Sequence, residues 1–393
     1  MSKTIQLKKG KEESLLRFHP WIFSGAISVI EGNPEEGDVV DVYTHSGEWI
    51  AVGHIQTSSI AVRVLSFRKQ TIDNKFWEKR ISKAYELRCS LGLTGLKDHN
   101  IYRLVHGEGD NLPGLIIDIY GKTAVMQAHS IGMHLSREAL VVALRVVFGD
   151  KISSIYYKSE TTLPYNSDFD RTNGYIYGNR INEEYLEYGL KMPVDWASGQ
   201  KTGLFIDQRE SRALLESLSC GRSVLNMFCY TGGFSIAALR GGAIKVHSVD
   251  SSAKAIELTK KGLEENFPSD NRHEEYAEDA FKFLDNMEPE YDMIVLDPPA
   301  FAKHRDALRN ALIGYRRLNG KALAKIKPGG LLFTFSCSQI VTKEQFRTSL
   351  FTAAALAKRN VRLLYQLHQP PDHPINMYHP EGEYLKGFVL YVE

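Results

Sequence analysis

A chain of 393 residues is long enough for two or three domains. With 48 basic against 47 acidic side chains and a formal net charge of +1, it lacks the global basicity that announces a nucleic-acid partner, so any such surface must come from local patches. Hydrophobic residues at 43% and charged residues at 24% exclude long disorder, and no apolar run approaches the roughly 18 residues of a membrane span.

The opening, MSKTIQLKKGKEESLLRF, has charges where a signal peptide would need its apolar stretch, which predicts a cytoplasmic protein. Its four cysteines, Cys89, Cys220, Cys229 and Cys337, form no CxxC pair, so reduced thiols are expected and no metal site. From Ile5 to about Phe67 the pattern is of short strands and turns. Within it GDVVDVYTHSGEWIAVGHIQ alternates around His45-Ser46-Gly47, which predicts a hairpin in a small β-barrel-like module. The leading segment sets Lys3, Lys8, Lys9, Lys11 and Arg17 against Glu12 and Glu13, an excess that suits either phosphates or a solvated face. A helix follows over NKFWEKRISKAYELRCSLGL. Two strands joined through Gly121, a helix from about Leu135 to Phe148, and two further strands, SIYYKS and YLEYGLKMPVD, complete a small central α+β unit without evident chemistry. The predicted domains span 1–70, 71–188 and 189–393.

From about Lys191 the rhythm is strand, loop, helix, repeated. Buried apolar strands alternating with helices predict a doubly wound, Rossmann-like α/β sheet, in which ligands bind outside the carboxyl ends of the strands. After the first strand, NMFCYTGGFSIAAL brings Gly232-Gly233 to a strand-to-helix turn, where a ligand can approach the backbone and meet helix-start amides. The stretch is not GxGxxG. Seventeen residues past Gly233 the second strand ends at Asp250, placed for the hydroxyls of an adenosine ribose, and Asp279-Ala280 after the third strand is placed to border an adenine ring. Loop, acid and third loop fit S-adenosylmethionine better than a nicotinamide cofactor.

The fourth strand ends in LDPPAFAKHR. Pro298 and Pro299 fix the backbone beyond Asp297 and remove two amide donors, leaving carbonyls and a carboxylate for a planar base. Phe301 either stacks on that base or faces the core. Lys303, His304 and Arg305, continued by Arg309, Arg316, Arg317 and Lys321, form either a rail for the RNA backbone or the solvated side of a helix. The fifth strand closes in FSCS, which puts Cys337 at the strand end neighbouring Asp297. Carbon 5 of cytosine is a poor nucleophile, and thiolate attack at carbon 6 supplies the missing electron density. A base then removes the carbon 5 proton and the thiol leaves.

SGQKTGLFIDQRESR, LNMFCYTGGFS, LDPPAFAKHR and FSCS together resemble the bacterial large-subunit ribosomal RNA cytosine-C5 methyltransferase family that carries an N-terminal PUA domain. The start LKKGKEESLLRFHPWIFSGAI resembles that family's PUA opening, and GDNLPGLIIDIYG its central domain. The resemblance implies a PUA-like RNA-binding domain, a central α+β domain and a class I methyltransferase domain. It implies that Phe205 and Gln208 flank the cofactor, that Tyr230, Thr231, Gly232, Gly233, Asp250, Ser251, Asp279 and Ala280 hold S-adenosylmethionine, and that Cys337 is the nucleophile with Asp297 beside ring nitrogen 3. Pro298, Pro299, Phe301 and Lys303 are then the substrate-binding positions. Many RNA cytosine-C5 methyltransferases outside this family carry a second cysteine where Pro299 stands, so the proton-removing step has no evident owner here.

Ribosomal RNA is the expected partner, with no membrane, and a homodimer is an open alternative to a monomer. Three other functions remain in play: methylation of a base nitrogen, which needs no thiol; an inactive RNA-binding assembly factor; and a nicotinamide oxidoreductase, which would require the missing GxGxxG.

Overall fold

The computed structural model describes residues 3–164, 169–302 and 304–393. They form two compact units. The first comprises Met1–Tyr185, Asp195–Ile206 and Pro371–Gly382; the second comprises Leu186–Val194, Asp207–Pro370 and Glu383–Glu393. Among the described residues no helix is long and apolar enough to cross a membrane.

The first unit holds two sheets. Six strands pair in the spatial order Trp21–Phe23, Ile60–Ser66, Trp49–Ile55, Val39–Tyr43, Thr4–Leu7, Ile27–Glu31. Period-2 alternation turns Ile5, Leu7, Val40, Val42, Val62 and Val64 into one core. The predicted hairpin forms, with Val39–Tyr43 antiparallel to Trp49–Ile55 and Gly47 taking φ +86° in the turn. Five strands build the other sheet, in the order Gly174–Tyr177, Ser154–Tyr157, Thr123–Ala128, Leu115–Tyr120, Ile101–His106. Two helices, Asn74–Ser90 and Arg137–Phe148, lend Trp77, Ile81, Leu140 and Leu144 to its core. The helix predicted from Leu135 is preceded by a separate short one, Ile131–Leu135, whose N-terminus Ser130 caps through the amide of Met133.

One predicted strand is corrected. YLEYGLKMPVD does not run straight; Leu186–Glu187 folds back antiparallel on Leu190–Lys191. Tyr188 and Gly189 both sit at positive φ in the turn, and Arg212 holds the buried Glu187 through two contacts of 2.6 Å.

The second unit is a seven-stranded sheet. Its elements are β1 (Ser223–Met227), α1 (Gly233–Arg240), β2 (Lys245–Asp250), α2 (Ala253–Asn266), β3 (His273–Ala277), α3 (Ala280–Asn286), β4 (Met293–Leu296), α4 (Leu308–Lys325), β5 (Gly330–Ser336), α5 (Lys343–Leu356), β6 (Val361–Leu367) and β7 (Lys386–Val392). The strand order is β3-β2-β1-β4-β5-β7-β6, with β1 to β5 parallel and β7 antiparallel to both of its neighbours. β1, β4 and β5 are buried along their whole length, which is why they read as unbroken apolar runs. The chain winds outward in both directions from β1 and β4. Their carboxyl ends therefore flank the switch point at which such sheets bind ligands.

Candidate active site

The loop after β1 is shaped by backbone constraint. Phe228 and Tyr230 sit at φ +58° and +48°, and Gly232 at +75° caps α1. A side chain at Gly232 would meet Thr259 Cγ2 at 2.6 Å. Thr259 donates its hydroxyl to the Tyr230 carbonyl at 3.0 Å and closes the turn. Asp250, at the end of β2, accepts from the Tyr230 amide at 3.1 Å and the Ser252 amide at 2.9 Å, so one carboxylate ties the first loop to the second. Ser251 is exposed beside it and Thr231 is buried in the first loop. Asp279 is exposed and caps α3 by accepting from the Lys282 amide at 3.0 Å, with Ala280 buried behind it.

These residues fit S-adenosylmethionine. The donor set is an acid at the end of β2, a backbone cradle that admits only glycine at position 232, and an apolar floor at Ala280. Gln208 adds a buried acceptor: it is 2% exposed, its Nε2 donates to Asp297 Oδ2 at 3.0 Å, and among the described residues its Oε1 has no partner, which suits an amino donor. Phe205 belongs to the first unit, where Lys201 lies over its ring at 4.3 Å.

The FSCS run explains itself in three contacts. Alternation along β5 separates the two serines from the thiol. Ser336 donates to the Tyr315 hydroxyl at 3.0 Å, and Ser338 donates to the Ala302 carbonyl at 2.8 Å. Cys337, half-buried, directs its Sγ at the Pro298 carbonyl 3.9 Å away. Ser338 thus fastens the loop after β4, and Ser336 fastens α4, to the end of β5, and the thiol is held over the Asp-Pro-Pro turn. Phe301 takes the inward alternative, its ring 4.6 Å from that of Tyr315 and against Gly314, so it does not project toward a base. Pro298 is buried, Pro299 is exposed, and Lys303 lies outside the described residues.

Burial sorts the ionisable groups. Cys229 is pushed up to about 12 by desolvation, as befits inert packing, and the buried Tyr315 phenol is likewise pushed up to about 12. In the basic stretch Arg305, Arg309, Arg316 and Arg317 are exposed, Arg317 lying over the Phe281 ring at 5.3 Å, and Lys321 pairs with Asp285.

Sequence reasoning missed two features of this edge. Tyr384 donates to the buried Asp207 at 2.7 Å, and Lys386, at the start of β7, is 4% exposed. A lysine opening an otherwise apolar closing strand, KGFVLYVE, was the available signal, because fully buried lysines are rare.

Residues 5–67 match a family model described as a PUA-like domain, and residues 164–379 one described as an S-adenosylmethionine-dependent methyltransferase. The chain is 40% identical to ribosomal RNA large subunit methyltransferase I of Aeromonas hydrophila across 99% of each chain, and 38% identical to that of Erwinia tasmaniensis across the whole of both. A solved Streptococcus mutans structure, described as an S-adenosylmethionine-dependent methyltransferase, shares its fold with a TM-score of 0.83 at 24% identity over all of both chains. A second, described as a methyltransferase in complex with SAH, reaches 0.85 at 24% identity over the same extent.

Proposed function

Because the chain belongs to the ribosomal RNA large subunit methyltransferase I family, an S-adenosylmethionine-dependent group of RNA-modifying enzymes, we propose that it forms 5-methylcytosine in large-subunit ribosomal RNA through covalent catalysis by Cys337. The observation that carries this reading is the setting of that thiol. It lies at the carboxyl end of β5, half-buried, against the Pro298 carbonyl and next to the strand that presents Asp297, whereas Cys229 is packed away.

The backbone of Tyr230, Thr231, Gly232 and Gly233, with Asp250, Ser251, Asp279, Ala280 and Gln208, would hold S-adenosylmethionine. When bound, it supplies the electrophilic methyl group that carbon 5 accepts. The target cytosine leaves its stack at a cost of a few kcal/mol, offset by edge contacts in the pocket. Cys337 Sγ bonds to carbon 6, and the carbon 5–carbon 6 double bond shifts its electrons toward carbon 5. Asp297, oriented by the Gln208 amide, faces ring nitrogen 3 and steadies the charge that develops there. Loss of the carbon 5 proton restores the double bond as the sulfur departs with its electron pair. Pro298 offers its carbonyl, and Pro299 its exposed ring, to the base; Phe301, turned inward, supports Tyr315 instead. The exposed Lys8, Lys9 and Lys11 of the PUA-like domain meet RNA phosphates.

The test is the product. Nucleosides from ribosomal RNA treated with enzyme and cofactor should contain 5-methylcytidine. An N-methylated guanosine or adenosine in its place contradicts the reading and returns Cys337 to the core.

A further inference from the structure

Lys386 opens β7 directly opposite Ser336, the residue before Cys337, and its Nζ donates to the carbonyl of Ser338, the residue after it. The amino group is thus anchored across the very segment that carries the thiol. Among the described residues it forms no ion pair, and its anchor is a neutral carbonyl. Burial lowers its proton affinity until it titrates at about 8, close to an ordinary thiol at roughly 8.5, and the Cys337 sulfur draws it back upward. Among the described residues the titratable groups around the pair include Glu383 before β7, which raises Lys386, and Tyr315 on α4, on which both the Cys337 sulfur and Asp297 act and which keeps its proton.

We propose that Lys386 sets the charge of the Cys337 sulfur: its ammonium, anchored across the segment that carries the thiol, stabilises the thiolate left when the S–H proton passes to water. The S–H bond breaks as a water molecule takes its proton, the sulfur keeps the electron pair, and the ammonium keeps its own proton throughout. When the sulfur later leaves carbon 6 it departs as a thiolate, and the same ammonium meets it. Lys386 is therefore a positioning residue that acts through Cys337. The proposal rests on the reading of Cys337 as nucleophile.

The test reads the thiol directly, in the full-length protein without RNA or cofactor. Iodoacetamide labelling is followed by peptide mass spectrometry across pH 6 to 10, with the exposed Cys220 as internal reference. Lys386→Met should slow Cys337 labelling at pH 7 about tenfold relative to Cys220 and move its pH midpoint upward by about one unit. Lys386→Arg, which keeps a permanent cation, should stay within about threefold of the wild type. S-adenosylmethionine binding by calorimetry reports whether each variant is folded, and Lys386→Gln replaces Lys386→Met if the latter is not. An unchanged Cys337 profile in a folded neutral variant overturns the proposal, as does an equal slowing of Cys337 and Cys220. The two readings fail separately. RNA trapped on Cys337 together with a lysine-independent profile removes only the role of Lys386; a lysine-dependent profile with no 5-methylcytidine made removes only the cytosine reading.

Discussion

At the scale of single residues the account depends on three residues with different duties. Cys337→Ala should abolish turnover, a loss of at least about 10³-fold, while S-adenosylmethionine affinity measured by calorimetry changes by less than about threefold; retained turnover would refute covalent catalysis. Asp250 accepts two backbone amides from two loops. Hydrogen bonds to a charged group contribute about 1.5–3 kcal/mol each. Asp250→Ala should therefore weaken cofactor binding by tenfold or more, and an unchanged dissociation constant would remove Asp250 from the site. Gly232 couples conformation to space, since alanine there would occupy a left-handed φ of +75° and press on Thr259. The expected cost is about 1–3 kcal/mol in urea unfolding, with the m-value unchanged.

At the scale of elements, the β5 terminus, α4 and the loop after β4 behave as one part, Ser336 fastening α4 and Ser338 the loop. Ser338→Ala leaves the buried Ala302 carbonyl without its donor. It should cost about 1–3 kcal/mol and lower kcat with little change in cofactor affinity; a variant with wild-type stability and kcat would show that the clamp is not needed. The doubly wound sheet was legible because strands buried on both faces must be apolar throughout, as in Met293–Leu296 and Gly330–Ser336. The neighbouring of Asp297 and Cys337 followed from the same topology. Other features were hidden for physical reasons. The hairpin at Leu186–Lys191 depends on a tyrosine at positive φ, which no turn rule anticipates. The inward turn of Phe301 depends on the bare surface of Gly314, remote in sequence. Lys386 meets the thiol only through antiparallel pairing of β7 with β5, a contact between distant segments that spacing cannot reveal.

At the scale of the whole molecule, buried imidazoles govern the response to acid. His54 and His273 are each pushed down to about 4, in both cases chiefly by burial, against about 6.5 in an unfolded chain. Below pH 6.5 the unfolded chain binds protons that the folded one refuses. Stability should therefore fall between about pH 6.5 and 4, by up to about 3 kcal/mol for each imidazole, with no contribution from either above that window. Urea unfolding across the range checks it; a stability that is flat or rising on acidification would contradict it. RNA affinity should depend on salt through local patches, given a net charge of +1. Replacing Lys8, Lys9 and Lys11 with glutamine should reduce the slope of log affinity against log salt by about 2. The most direct measurement of the central claim joins protein and RNA: incubation with S-adenosylmethionine and ribosomal RNA containing 5-fluorocytidine, whose fluorine cannot leave as a proton does. The account predicts a denaturant-stable adduct that maps by peptide sequencing to Cys337. Absence of an adduct, from protein that binds the cofactor and methylates unmodified RNA, would contradict it.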